Sequence, residues 1–130
     1  MKLQVAGDDG QVVRLQIEGQ ITQRDLHFSG DPLVDLAGPD VYTKQLLIDL
    51  TRAPMVDSSG ISWLIAAHKR CREKGGRLVI HSYTPPVANT LRLLKMDRVL
   101  SLCVTQRDAE ALVQEAAAQA REAATPEAQT

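Results

Sequence analysis

Between Gln45 and His81 the chain spells a strand, a helix and a second strand, and no other stretch limits its fold as much. Gln45-Leu46-Leu47-Ile48-Asp49-Leu50 is nearly all apolar, the pattern of a strand covered on both faces. After it, Ile61, Leu64, Ile65, His68 and Cys71 follow the i, i+3, i+4, i+7 spacing of a buried helical stripe. The pattern predicts a helix from Ser58-Ser59 to about Lys74. Lys69, Arg70, Arg72 and Lys74 crowd its last turn, where cations suit the negative end of the dipole, and Gly75-Gly76 stops it. Arg77-Leu78-Val79-Ile80-His81 is the next strand. A unit of this length requires a parallel pair joined by a right-handed crossover. The expected fold is α/β: an open mixed sheet with helices packed on it.

The flanking segments extend that sheet. Leu3 and Val5, then Val13, Leu15 and Ile17, alternate with polar residues across Asp8-Asp9-Gly10, which predicts a hairpin. Gly19 to Gly30 has weak periodicity and no assigned element. Asp31 to Gly38 predicts a short helix, with Asp31 as cap, Pro32 in the first position and Gly38 at the end. Pro85-Pro86-Val87 starts another helix, expected to turn Val87, Leu91 and Leu94 inward. Val99 to Val104 reads as the last short strand. Thr105 and Asp108 resemble a capping box for a final helix burying Leu112, Val113 and Ala116. The expected domain spans residues 1–123, with a flexible tail over 124–130.

Composition excludes several functions. The 130 residues suffice for one domain with a real core. A formal net charge of -1 gives no field to recruit nucleic acid or an anionic membrane. Aromatic residues at 3% leave little on which to stack bases. The apolar runs fall far short of the ~20 residues of a membrane span, so no membrane insertion is expected. Met1-Lys2-Leu3-Gln4-Val5 enters a strand pattern directly and is unlike a signal peptide. Cys71 and Cys103 lack metal-ligand spacing and read as reduced, buried thiols, so the expected address is the cytoplasm.

Asp57-Ser58-Ser59-Gly60 sits where the chain leaves the sheet and enters the helix. Backbone N–H groups at a helix start lack intrahelical partners and carry partial positive charge. A serine held there is exposed, and a phosphate on it would find donors waiting. On local physics alone, the better reading of Ser58 and Ser59 is as helix caps, with Asp57 sharing that duty, and the two roles are compatible. Trp63 lies off the main stripe, as a second-face core residue or an exposed partner contact. His68 reads as a core or boundary histidine, and His27 and His81 lack motif context. Ser58 has neither the Gly-x-Ser-x-Gly setting of a hydrolase nucleophile nor a sequence-placed base, and no Gly-rich nucleotide loop is present. The reading is of a chain with no catalytic residue, no cofactor and no metal.

From Leu47 to Leu100 the chain resembles one family. Leu47-Ile48-Asp49-Leu50, Val56-Asp57-Ser58-Ser59-Gly60-Ile61, Lys69-Arg70, Gly75-Gly76-Arg77-Leu78-Val79-Ile80 and the Pro86-Val87 to Val99-Leu100 segment look like a STAS domain. Within that family they are most similar to the bacterial anti-sigma factor antagonists. The tetrapeptide alone is a weak signal; between that strand and that helix it is specific. The resemblance implies partner switching. The unmodified protein binds an anti-sigma factor that is also a serine kinase, phosphorylation of a junction serine breaks the complex, and a serine phosphatase resets it. The family's modified serine directly follows the aspartate, which here is Ser58. The implied partner surface comprises Asp57, Ser58, Ser59, Gly60, Ser62 and Trp63. One departure stands out: Gly19-Gln20-Ile21-Thr22 occupies the place where many relatives carry Gly-Glu-Leu-Asp, so that carboxylate is missing. The alternative is a non-phosphorylated STAS scaffold or accessory subunit of a signalling or lipid-transport assembly.

Overall fold

The structure, a computed structural model, describes residues 2–20 and 31–124, and side chains through residue 115. The residues around Thr22, His27, the side chain of Ala116 and the tail beyond residue 124 lie outside the described residues. Five strands run in the order β1-β2-β3-β4-β5. β1 (Lys2–Asp8) and β2 (Val12–Glu18) form the expected antiparallel hairpin. Its turn is tied by Asp9, whose Oδ1 accepts from the N–H groups of Gln11 at 2.9 Å and Val12 at 2.7 Å. β3 (Gln45–Arg52), β4 (Arg77–His81) and β5 (Ser101–Cys103) follow in parallel with β2. The sheet is therefore mixed, as the strand–helix–strand reading requires.

Strand alternation divides the core in two. Val13, Leu15 and Ile17, with Leu46, Ile48, Leu50, Leu78 and Ile80, face one side. That side is covered by α1 (Pro32–Ala37), α2 (Ser58–Lys74) and α3 (Pro85–Leu93). Val12, Leu47 and Val79 face the other side, where they meet Ala109 and Val113 of α4 (Gln106–Ala124). A bidentate pair fastens α4 down: Arg14 Nε and Nη2 donate to the Glu110 carboxylate at 2.7 and 2.8 Å. That guanidinium holds the Glu110 carboxyl below the ordinary carboxylate range.

Asp31 caps α1 as expected, accepting from Leu33 N–H at 3.0 Å. Its second oxygen has a role the pattern did not reveal: Tyr42 donates to it at 2.5 Å and Arg70 of α2 at 2.9 Å. Burial, reinforced by that carboxylate, pushes the Tyr42 phenol up to about 12. Three expectations need correction. Leu94 is 46% exposed rather than inward, because α3 ends at Leu93 and Lys95 turns the chain through a left-handed conformation (φ 57°). On α2 the buried positions are Gly60, Ile61, Leu64, Ala67 and Cys71, while Ile65 and His68 are only half-buried. The last strand is shorter than expected, since Val99 and Leu100 belong to the turn before it.

Candidate functional site at the strand-to-helix junction

β3, the central strand, delivers the chain to the C-terminal end of the parallel strands, and Ala53 and Val56, both buried, pin the crossing to α2. Asp57 remains extended (φ −91°, ψ −178°), the backbone of an N-cap. Its Oδ1 accepts from Gly60 N–H at 2.9 Å, and its carbonyl accepts from Ile61 N–H at 3.0 Å. The cap is thus Asp57, which frees both serines from that duty. Ser58 occupies the first helical position and is exposed; Ser59 is half-buried and Gly60 buried.

One turn later Ser62 is exposed, at the i+4 position from Ser58 and therefore on its face of the helix. Trp63 is half-buried against the main core, which gives it packing work whatever its outer edge touches. Among the implied contact residues, Ser58 and Ser62 are the ones fully presented to solvent. Met55, 54% exposed and two residues before the cap, places an apolar side chain at the surface beside the junction, which the sequence reading missed. Its signal was available: a methionine in a short loop after Pro54, outside any periodic stripe.

Neither described histidine stands beside Ser58. His68 is ten residues further along α2, about 15 Å at helical rise. His81 is 2% exposed and shares the parity of Val79, on the face that α4 covers. Its Nδ1 lies 2.7 Å from Ser82 Oγ, and burial pushes its pKa down. Buried Cys71 is pushed up to about 12 by desolvation, so it remains a neutral thiol. Among the described residues no cluster of His, Cys, Asp or Glu could hold a metal ion, and no helix is long and apolar enough to cross a membrane.

This arrangement, a mixed sheet with the cap and an exposed serine at a strand-to-helix junction, defines a class. The model described as "Mlab, STAS domain" matches residues 5–106, and the chain belongs to the STAS domain family. No curated protein matches it in sequence. Solved structures show the same fold. A Thermotoga maritima protein assigned to the anti-sigma factor antagonists superposes with a TM-score of 0.71 at 21% identity, over 79% of this chain and 87% of that one. An anti-sigma factor antagonist from Mycobacterium paratuberculosis gives 0.62 at 23% identity, over 87% and 95%. The anti-sigma factor antagonist SpoIIAA, solved in its unphosphorylated form, gives 0.62 at 13% identity, over 87% and 98%.

Proposed function

We propose that the chain is an anti-sigma factor antagonist working by partner switching, with Ser58 as the phospho-acceptor. Its partner in this reading is an anti-sigma factor that is also a serine kinase, and a serine phosphatase restores the unmodified form. The observation that carries the reading is the division of labour at the junction: Asp57 holds the helix start while Ser58, next in the chain, is exposed.

The chemistry follows from that division. Phosphorylation adds about −1.5 to −2 charge at neutral pH. The N-terminal end of α2 tolerates such a charge, so the fold survives modification. A partner packed against a neutral hydroxyl would instead have to desolvate a dianion. Without a matched cation this costs several kcal/mol, enough to lower affinity by orders of magnitude. The contact surface comprises Asp57, Ser58, Ser59, Gly60, Ser62 and Trp63, with Met55 at its edge. No catalysis by this chain is required.

The test is affinity for the serine-kinase anti-sigma factor encoded in the same genome. Ser58→Asp should weaken binding at least tenfold, about 1.4 kcal/mol, and Ser58→Ala should retain it under phosphorylating conditions. Equal affinity of the two variants contradicts the switch. The second reading, a non-phosphorylated scaffold or accessory subunit of a signalling or lipid-transport assembly, is favoured by Thr22, which stands where many relatives carry an aspartate. Under that reading both variants bind their partner alike.

A further inference from the structure

At the other end of α2 the structure holds an open cleft of about 510 Å³, within the range of small-ligand sites. Gln45, His68, Arg72, Arg77, Arg98 and Ser101 line it, over a floor made by Gly75-Gly76. These residues come from the starts of β3, β4 and β5, from the turn before β5 and from the last turns of α2. The cleft therefore opens at the N-terminal ends of the parallel strands, the end opposite Ser58.

Three features of the lining point to an anion. First, three arginines line the cleft and no carboxylate does. Two arginines outside the cleft are paired, Arg14 with Glu110 and Arg70 with Asp31. Arg72, Arg77 and Arg98 have no carboxylate partner among the described residues. Second, Gln45 Oε1 and His68 Nδ1 are buried side-chain atoms with no hydrogen-bond partner, and both belong to this lining. Buried polar atoms left unmatched in a protein call for an explanation, and an absent ligand supplies one for two neighbouring orphans at once. Third, the positive field is felt inside: burial first, then Arg72 and Arg77, push the His68 pKa down. The α2 C-terminus contributes about half a negative charge, which three guanidinium charges outweigh.

We infer that this cleft binds a phosphate-bearing small molecule, with Arg72, Arg77 and Arg98 on the phosphate and Gln45 and His68 on its remaining polar atoms. Guanidinium geometry suits phosphate oxygens, which accept two parallel N–H bonds from one arginine. The Gln45 carbonyl oxygen takes a hydroxyl hydrogen, and His68 gains a partner at Nδ1. The volume exceeds what a bare phosphate fills, so an organic phosphate uses the site more fully. The inference makes no use of Ser58 and stands or falls independently of the switch.

The experiment is an NMR titration of the full chain at constant ionic strength with inorganic phosphate, glycerol 3-phosphate and glycerol, following amide and imidazole resonances. Saturable shifts at Gly75, Gly76 and Ser101, with a Kd near or below about 1 mM and an upward-moving His68 pKa, are expected for the phosphates. Glycerol alone should produce none. Tighter binding of glycerol 3-phosphate assigns the site to an organic phosphate, and equal binding assigns it to free phosphate. Arg72→Gln with Arg98→Gln, both exposed and so tolerable to the fold, should weaken binding at least about tenfold. The matched charge control Lys2→Gln with Lys69→Gln should not. Absence of saturable shifts for both phosphates, or binding untouched by the arginine changes, overturns the inference.

Discussion

At its first turn α2 shows solvent a small neutral hydroxyl, and one of its free amides, Gly60 N–H, is capped by the Asp57 carboxylate. Past its last turn, Arg72 of the helix joins Arg77 and Arg98 from other segments in a cleft lined also by two glycines that the backbone geometry demands. Gly75 adopts φ 88°, closing the helix in a left-handed cap. Gly76 has a different reason: a Cβ there would run into the backbone carbonyls of Tyr42 and Lys44. Arg77 N–H also donates to Lys44 O at 3.1 Å, locking that approach. One end thus separates stability from chemistry residue by residue, whereas the other builds its cleft from the backbone itself. A serine with no structural duty can be modified without unfolding the domain.

The largest effect should come from the close approach. Gly76→Ala must push two backbone carbonyls aside and should cost roughly 3 kcal/mol or more in urea denaturation. Gly75→Ala, with open space around its Cβ, should cost only the left-handed penalty of about 1–2 kcal/mol. Equal losses at the two glycines would break the contrast drawn within this end of the helix. At the other end, Asp57→Ala removes the cap and should cost about 1 kcal/mol, while Ser58→Ala should stay within about 0.5 kcal/mol of the parent. A destabilisation by Ser58→Ala as large as that of Asp57→Ala would show that the serine carries the helix start after all.

A smaller effect concerns pH. Burial holds both His81 and His68 below the ordinary imidazole value, with Asp49 and Glu110 partly opposing it at His81. Unfolded, these rings take up protons at about pH 6.5, while the folded rings do not until lower pH. Unfolded chain then binds more protons than folded chain, so stability is full above about pH 6.5 and falls as the solution is acidified. Urea midpoints should drop from about pH 7.5 to about pH 5.5, and the double change His68→Gln, His81→Gln should flatten that drop. A midpoint that rises on acidification in the parent would contradict the burial of these rings.

Much of this fold was legible because its signals were local. The apolar run Leu46 to Leu50, the stripe on α2 and the Asp31-Pro32 helix start each state their structure within a few residues. The junction was legible for the same reason, though which of three polar residues caps it was not. That choice depended on backbone dihedrals, and the extended conformation of Asp57 settled it. The link of Asp31 to Tyr42 and Arg70 spans 11 and 39 residues, beyond any periodicity. The cleft drew on three separate stretches, at Gln45, His68 to Arg77 and Arg98 to Ser101, and the basic group around Arg72 read in sequence as cations suited to the negative end of a helix. His81 gave no motif at all, since a histidine ending a strand acquires its burial only when α4 folds over it.

The central claim is that Ser58 is the modified residue, and intact-mass analysis with phosphosite mapping tests it most directly. The protein would be purified from its native cells under contrasting growth conditions, with phosphatases inhibited at lysis. The account predicts one added phosphate, placed on Ser58, whose occupancy changes with condition. A single unmodified mass under every condition, or phosphate confined to another residue, would contradict it.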